Sequence, residues 1–442
     1  MSAHQYLINH AEKECHELDG FSLRYQHVLT LPVFNEDESL LDGLRALPTT
    51  APVLVILVLN APERSNDPQK ISNTQAFGLS IRNTLPALFR LNENMQVFEL
   101  APSRQQHLLL VERCHAGRWI EQAQGVGLAR KIACDIACML ITRGQIASDW
   151  IHSSDADTLL PTGYFDAAAT LDSGTSAAAL YPFRHVGPAG TDPDLAHQLY
   201  ELSLDYYVMG LQWAGSAYAF HTVGSTFLIN HRHYALCRGF PKRAAGEDFY
   251  LLNKLAKTGT VVSLREPVLS IMARDSDRVP FGTGPAVTRI KALSNPMAQY
   301  RYYHPLCFYY LRAWLKLLPL LFDNAGQLQR EGLQSLLDTF QQRKILAQET
   351  RLEILWPCLA SLDVQSGLVH ALSHGKTRAA FLRHFTQWFD AFRTLKFIHC
   401  LREHHFASQP MTQLAKTLHD IPDSSGLSSS WTVKIEKFGG IF

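Results

Sequence analysis

Asp155-Ala156-Asp157 sets two carboxylates one residue apart, between the apolar run 149–154 and Leu159-Leu160-Pro161. Paired carboxylates at the end of a strand are a means of holding a divalent cation on hard oxygen ligands while the cation neutralises phosphate. The same triplet also occurs in exposed turns, so its meaning depends on the other residues able to do chemistry. Gly246-Glu247-Asp248 puts a second acidic pair where a helix should begin, although the helix dipole alone accounts for acidic residues there. Arg130-Lys131 falls in the expected first turn of another helix, where cations are disfavoured unless an anion such as a nucleotide diphosphate offsets the cost. Side chains that reach out to water would offset it equally well. Arg274, Arg278 and the Gly282-Thr283-Gly284 turn supply guanidinium and backbone N–H donors fit to clamp a diphosphate; a solvated loop has the same composition.

The elements around these residues alternate between short β-like and helix-like runs from about 25 to 275, predicting an α/β fold with a mostly parallel sheet. The strands expected are 27–33, 53–59 with both faces apolar, the run ending at Asp155, 177–182 and 226–229. Helices are expected from Asn35-Glu36 onwards, over 127–141 and over 249–255. Ligands of such sheets bind at the carboxyl ends of the strands, where Asn60 and the D-x-D both fall. The predicted organisation is a helical extension over 1–24, the α/β domain over 25–285 and a mainly helical region over 286–422. A Ser/Gly-rich linker and a terminal strand follow over 423–442.

Composition narrows the class. With 442 residues, 46% hydrophobic and 18% charged, the chain has the make-up of a globular protein of two or three domains. Its 41 Lys and Arg against 40 Asp and Glu leave a net charge of +1, which gives no electrostatic case for nucleic acid as a partner. Nothing at Met1-Ser2-Ala3-His4-Gln5-Tyr6 resembles a secretion signal, so a cytoplasmic location is expected. The eight cysteines form no CxxC pair and read as reduced, buried thiols. No apolar stretch is long enough for a membrane span. Residues 308–322, with Arg312 and Lys316 one turn apart, fit either a helix lying against the inner face of a membrane or one packed on the catalytic domain.

In order and spacing, several of these segments resemble the GT-A fold glycosyltransferases of the family 2 type. They are Leu31-Pro32-Val33-Phe34-Asn35-Glu36, Gly127-Leu128-Ala129-Arg130-Lys131, the D-x-D, and Gly239-Phe240 followed by Gly246-Glu247-Asp248. The likeness covers about 25–275. It implies a Rossmann-like GT-A domain that moves a sugar from a nucleotide diphosphate donor to an acceptor hydroxyl, assisted by Mn²⁺ or Mg²⁺. Asp157 would reach the metal, Asp155 would hold the ribose or act through water, and His304 would be a third ligand by analogy. Asp248 would be the base for in-line, inverting displacement, with Glu247 the alternate. Asn35, Glu36 and Asn60 would bond base and ribose, though each also suits a cap or turn. The segment 274–284 would be a lid closing on the donor. Asn230-His231-Arg232-His233 falls where the family has a short basic loop, so exposure or acceptor contact is expected there rather than metal binding. The Q-x-x-R-W signature of processive synthases is absent after Asp248, which implies single additions.

Two other readings compete. A sugar-nucleotide nucleotidyltransferase also uses an α/β sheet and metal-binding aspartates, but would open with a Gly-rich basic loop where this chain has Phe34-Asn35-Glu36-Asp37-Glu38. A non-catalytic scaffold that binds nucleotide sugars through the same fold would need neither carboxylate pair.

Overall fold

Two apolar runs with no polar alternation, β1 (His27–Val33) and β2 (Val53–Asn60), are buried at every residue and pair in parallel, from His27 opposite Val53 to Val33 opposite Leu59. Such strands are stable only in the middle of a sheet covered on both faces. The computed structural model describes residues 2–64, 67–275, 282–347, 350–419, 427–429 and 431. It divides the chain into two compact units, Met1–Asp194 with Thr222–Ala286, and Leu195–His221 with Val287–Phe442. The segment 195–221, expected within the α/β domain, therefore clusters with the helical unit.

In chain order the elements that build the first unit begin with α1 (Ala3–His10), β1, α2 (Ser39–Arg45), β2 and α3 (Pro68–Thr84). There follow β3 (Ala87–Asn92), β4 (Met95–Ala101), β5 (Gln106–Arg113), α4 (Gly125–Thr142), β6 (Trp150–Ser153), β7 (Thr158–Leu159), β8 (Ser176–Leu180) and β9 (Phe183–Val186). After α5 (Leu195–Ala214) of the second unit come β10 (Phe227–Asn230), α6 (His231–Leu236), α7 (Glu247–Leu255), β11 (Thr260–Ser263) and β12 (Leu269–Met272).

The fold is mixed α/β, with a nine-stranded sheet in the order β11-β8-β10-β6-β1-β2-β5-β4-β3. Its centre, β6-β1-β2-β5, is parallel, and only β10 and β4 run against the other strands. From β1 the chain moves outward to β2 and β5, and then returns through α4 to place β6 on the other side of β1. The strand order thus reverses at β1, and the carboxyl ends of β1 and β6 lie where ligands usually bind on such a sheet. A smaller sheet, β7-β12-β9, pairs β12 antiparallel with β7 and parallel with β9.

Helix α4 is buried on nearly every side because the sheet covers one face while α1, α6 and the turn Lys13–His16 cover the other. Its N-terminal turn meets the strip 241–244 so closely that a Cβ at Gly127 would lie 2.4 Å from the Pro241 carbonyl oxygen. The Gly127 N–H donates to the Arg243 carbonyl at 3.0 Å. Because that strip leads into Gly246-Glu247-Asp248, the glycine of the α4 motif sets the height of the second acidic pair.

The second unit is helical around one apolar core. Helix Pro305–Asp323 buries Phe308, Leu311, Trp314, Leu317, Leu318 and Leu321 in it, and Arg312 lies 4.8 Å over the Trp213 ring. This packing takes up the apolar face that contact with a membrane surface would require. Among the described residues no helix is long and apolar enough to cross a membrane. Cys358 and Cys400 form a disulfide, their Cα atoms 5.7 Å apart, which corrects the expectation of thiols throughout; the other six cysteines are free. The Ser/Gly-rich stretch is not simply a solvated linker, since residues 427–429 are helical and Leu427, Ser428 and Trp431 are buried. The expected terminal strand lies outside the described residues beyond Trp431.

Candidate functional site

The carboxyl ends of β1, β2 and β6 deliver Asn35-Glu36, Asn60 and Ser154-Asp155-Ala156-Asp157 to one region of the first unit, and two arginines tie the carboxylates together. Arg130, only 4% exposed, donates from Nη2 to Asp155 Oδ1 at 2.7 Å and from Nε to Glu247 Oε1 at 2.9 Å. Its Nη1 reaches Ser153 Oγ at 3.3 Å and the Ser154 carbonyl at 3.4 Å. Arg274 forks onto Glu36, with Nη1 to Oε2 at 2.8 Å and Nη2 to Oε1 at 2.7 Å, and also donates from Nε to Asp157 Oδ2 at 3.0 Å. One guanidinium thus joins the first aspartate to the acidic pair of α7, and the other joins the second aspartate to the loop after β1.

Local folding explains each placement. Asn35 adopts a left-handed conformation, with φ 55°, that an asparagine tolerates better than most residues. The turn is fixed by its N–H on Thr74 Oγ1 at 2.9 Å and by Asn73 Nδ2 on its Oδ1 at 2.9 Å. The Asp157 carbonyl accepts from the Met272 N–H at 2.8 Å, extending the β7–β12 pairing, so Arg274 emerges from β12 beside Asp157. Arg130 passes Gly224 so closely that a Cβ there would lie 2.5 Å from Nη2. Gly224 and Ser153 are site-building residues that sequence reading missed; neither has a local pattern to mark it.

Burial acts against the charge of Arg130, but Asp155, Glu247 and Asp248 more than offset it and hold the guanidinium above its usual value. Arg274 is raised likewise, burial being outweighed by Glu36 and Asp157. Half-buried Asp248 is pushed up to about 7, first by burial and then by the Glu247 carboxylate, against the lowering pull of the Phe249 N–H and Arg130. A carboxylate so placed takes a proton near neutral pH, which suits a general base.

Asn60 Oδ1 and Ser154 Oγ are both buried without a hydrogen-bond partner among the described residues. Orphaned polar atoms at strand ends suit donors of an incoming ligand. Lys131 is not part of the gathering. Its Nζ donates to Tyr6 OH at 2.6 Å and to Asp135 Oδ2 at 2.9 Å, and Tyr234 OH donates to Asp135 Oδ1 at 2.8 Å, all within a buried structural cluster. Because α4 starts at Gly125, Arg130 and Lys131 lie in its second turn. Carboxylates of the fold, buried Glu247 and Asp135 and half-buried Asp155, satisfy them rather than an anion at the helix end. His304 lies in the second unit, where its Nδ1 accepts from the Leu306 N–H at 3.1 Å as a helix cap. Arg278 lies outside the described residues, as does most of the expected lid. The expected exposed loop at 230–233 is instead the start of α6: His231 and His233 are buried, and Asn230 caps the helix from its side chain.

Among the described residues no group of three or more His, Cys, Asp or Glu side chains is arranged to hold a metal ion. Glu36, Asp155, Asp157 and Glu247 each accept from Arg130 or Arg274, so the carboxylates of the two acidic pairs are held by guanidinium groups. No protein-family model matches the chain, and no curated protein matches it in sequence.

Replacing Gly127 with Ala is expected to cost about 1–3 kcal/mol by forcing the strip 241–244 off α4. Urea denaturation reads this directly, and an unchanged midpoint would show that the strip yields freely.

Proposed function

We propose that the first unit is a GT-A type glycosyltransferase domain that moves one sugar from a nucleotide diphosphate donor to an acceptor hydroxyl with inversion. The observation that carries the reading is the pairing of Arg130 with both Asp155 and Glu247, which sets the D-x-D of β6 and the acidic pair of α7 on opposite sides of one buried guanidinium. Inverting transfer needs a donor side, where diphosphate charge is neutralised, and an acceptor side, where a base removes a proton. Here they are built by different elements and locked to each other.

On the acceptor side Asp248 takes the hydroxyl proton while Glu247 stays committed to Arg130. On the donor side Asn60 and Asn35, at the ends of β2 and β1, hold base and ribose, with Asp155 bonding the ribose hydroxyls. Asp157 and Asp155 would hold Mn²⁺ or Mg²⁺, which supplies Lewis-acid stabilisation to the leaving diphosphate. Arg274 adds a fork able to bind phosphate oxygens in the manner in which it binds Glu36.

A nucleoside diphosphate with Mn²⁺ is expected to raise the melting temperature of the wild type, and Asp157→Ala to remove that gain while keeping the fold. A scan in which the variant gains as much as the wild type would remove Asp157 from the donor site. A screen of nucleotide sugars by the same shift, followed by a turnover assay, identifies the donor and separates an enzyme from a binding scaffold.

A further inference from the structure

The disulfide between Cys358 and Cys400 joins the helix Leu352–Ser361 to the helix Ala391–His404 within the helical unit, across a sequence separation of 42. The first of these helices is weak in its own backbone. Its 10 residues are too few to stand alone, and Pro357, inside it, has no N–H to give to the Glu353 carbonyl. Cys358 follows that proline directly, so the bond pins the half of the helix that backbone hydrogen bonding secures least. Just beyond, Asp363 turns the chain in a left-handed conformation, with φ 54°, into the helix Val364–His374. The two ends of the bond differ in access: Cys358 is buried with Leu355 and Leu359 in the apolar core, whereas Cys400 is half-buried. The remaining cysteine of this unit, Cys307, is buried and free, and burial pushes its thiol up to about 12, so it offers little thiolate for exchange.

We propose that the Cys358–Cys400 bond is a redox-sensitive clasp: a dithiol reductant opens it and frees the second half of the helix Leu352–Ser361 from Ala391–His404, and a disulfide oxidant closes it again. A thiolate of the dithiol attacks Sγ of Cys400, the less buried end; the S–S bond breaks, and Cys358 departs as a thiolate that takes up a proton. The second thiol of the reductant then attacks the reductant's own sulfur in the mixed disulfide. That step releases Cys400 as a thiolate, protonated in its turn, and leaves the reductant as a cyclic disulfide. Two electrons pass from the dithiol to the protein, and oxidation runs the same steps in reverse. The core tolerates the reduced state, because a buried free cysteine packs as a small apolar residue. The fold therefore survives reduction, and the helix weakened by Pro357 becomes the part of the unit that opens first. The clasp is independent of the activity proposed for the first unit.

The test is amide hydrogen exchange on the full chain, air-oxidised and after dithiothreitol, with the double variant Cys358→Ala/Cys400→Ala alongside. Reduction is expected to speed exchange over 358–363 by roughly thirtyfold or more, the lower end of what closing such a loop contributes, and to leave the helix Pro305–Asp323 unchanged. In the double variant the same amides should exchange fast with or without dithiothreitol. Alkylation during reduction should mark Cys400 before Cys358 and leave Cys307 unmarked. Equal exchange in the oxidised and reduced wild type overturns the proposal. So does acceleration spread evenly over the helical unit, and so does alkylation of both Cys358 and Cys400 in air-oxidised protein without reductant. Should the double variant fail to fold, the reduced wild type decides alone, since it differs from the oxidised protein only in the bond.

Discussion

Asp248→Asn is expected to give a protein that melts higher than the wild type yet no longer transfers sugar. The reason lies in the linkage between protonation and folding. An unfolded aspartate titrates near 3.8, whereas Asp248 in the folded protein titrates at about 7 because burial and Glu247 disfavour its charge. Between those values the folded state keeps a proton that the unfolded state has lost, so stability falls as pH rises from 3.8 towards 7 and stays reduced above it. Asparagine carries no such penalty. The gain at pH 8 should be on the order of 4 kcal/mol and should vanish below the unfolded value of 3.8. On the proposed glycosyltransferase reading, donor binding should survive, since the proposed donor side is built by other residues, while transfer should be lost with the proposed base. In the wild type, transfer should rise with pH through about 7 as Asp248 deprotonates. Denaturation at both pH values with one turnover assay checks all of this. A stability difference that does not depend on pH would refute the account of burial, and retained turnover would take Asp248 out of the mechanism.

The second large effect concerns Arg130. Arg130→Met keeps much of the side-chain volume but removes the guanidinium that joins Asp155 to Glu247, leaving the buried Glu247 without that partner. Breaking a buried pair from one side typically costs about 3–5 kcal/mol, because the remaining charge has neither water nor partner. Arg130→Lys should recover only part of it, since one ammonium cannot reproduce bonds made from Nε, Nη1 and Nη2 in three directions. Adding Glu247→Gln to Arg130→Met should restore stability without restoring the junction between Asp155 and Glu247. Urea denaturation of the three variants gives the answer, and a loss below about 1 kcal/mol for Arg130→Met would mean that the carboxylates are solvated well enough to stand alone.

Much of the first unit was legible because its signals are local. The expected strands 27–33 and 53–59, the second apolar on both faces, and the expected helix 127–141 with its apolar spacing correspond to β1, β2 and α4. Strands β3, β4 and β5 were not foreseen, nor was α3. The edge strand β3 is largely exposed, and α3 buries only Thr74, Phe77, Gly78 and Ile81, so neither carries a strong apolar period. The histidines of 231–233 misled for a related reason: polar residues suggest a loop until a neighbouring element covers them. Cys358 and Cys400 stand 42 residues apart on different helices, a pairing no spacing rule foretells.

For the candidate site, the chain by itself determined which chemistry is on offer: two acidic pairs, two arginines and a set of asparagines at the ends of strands, because residue type and position within a strand or helix are properties of local sequence. Tertiary structure alone decided the partnerships. Arg130 and Lys131 are neighbours in sequence, yet successive helix positions point about 100° apart. One therefore enters the junction between Asp155 and Glu247, and the other a structural cluster around Asp135. Arg274 meets Glu36 only because β12 pairs with β7 and the chain reverses at β1. Ion pairs form between whatever charges the fold brings within a few ångströms, and that distance is set by sheet order and helix packing rather than by separation along the chain.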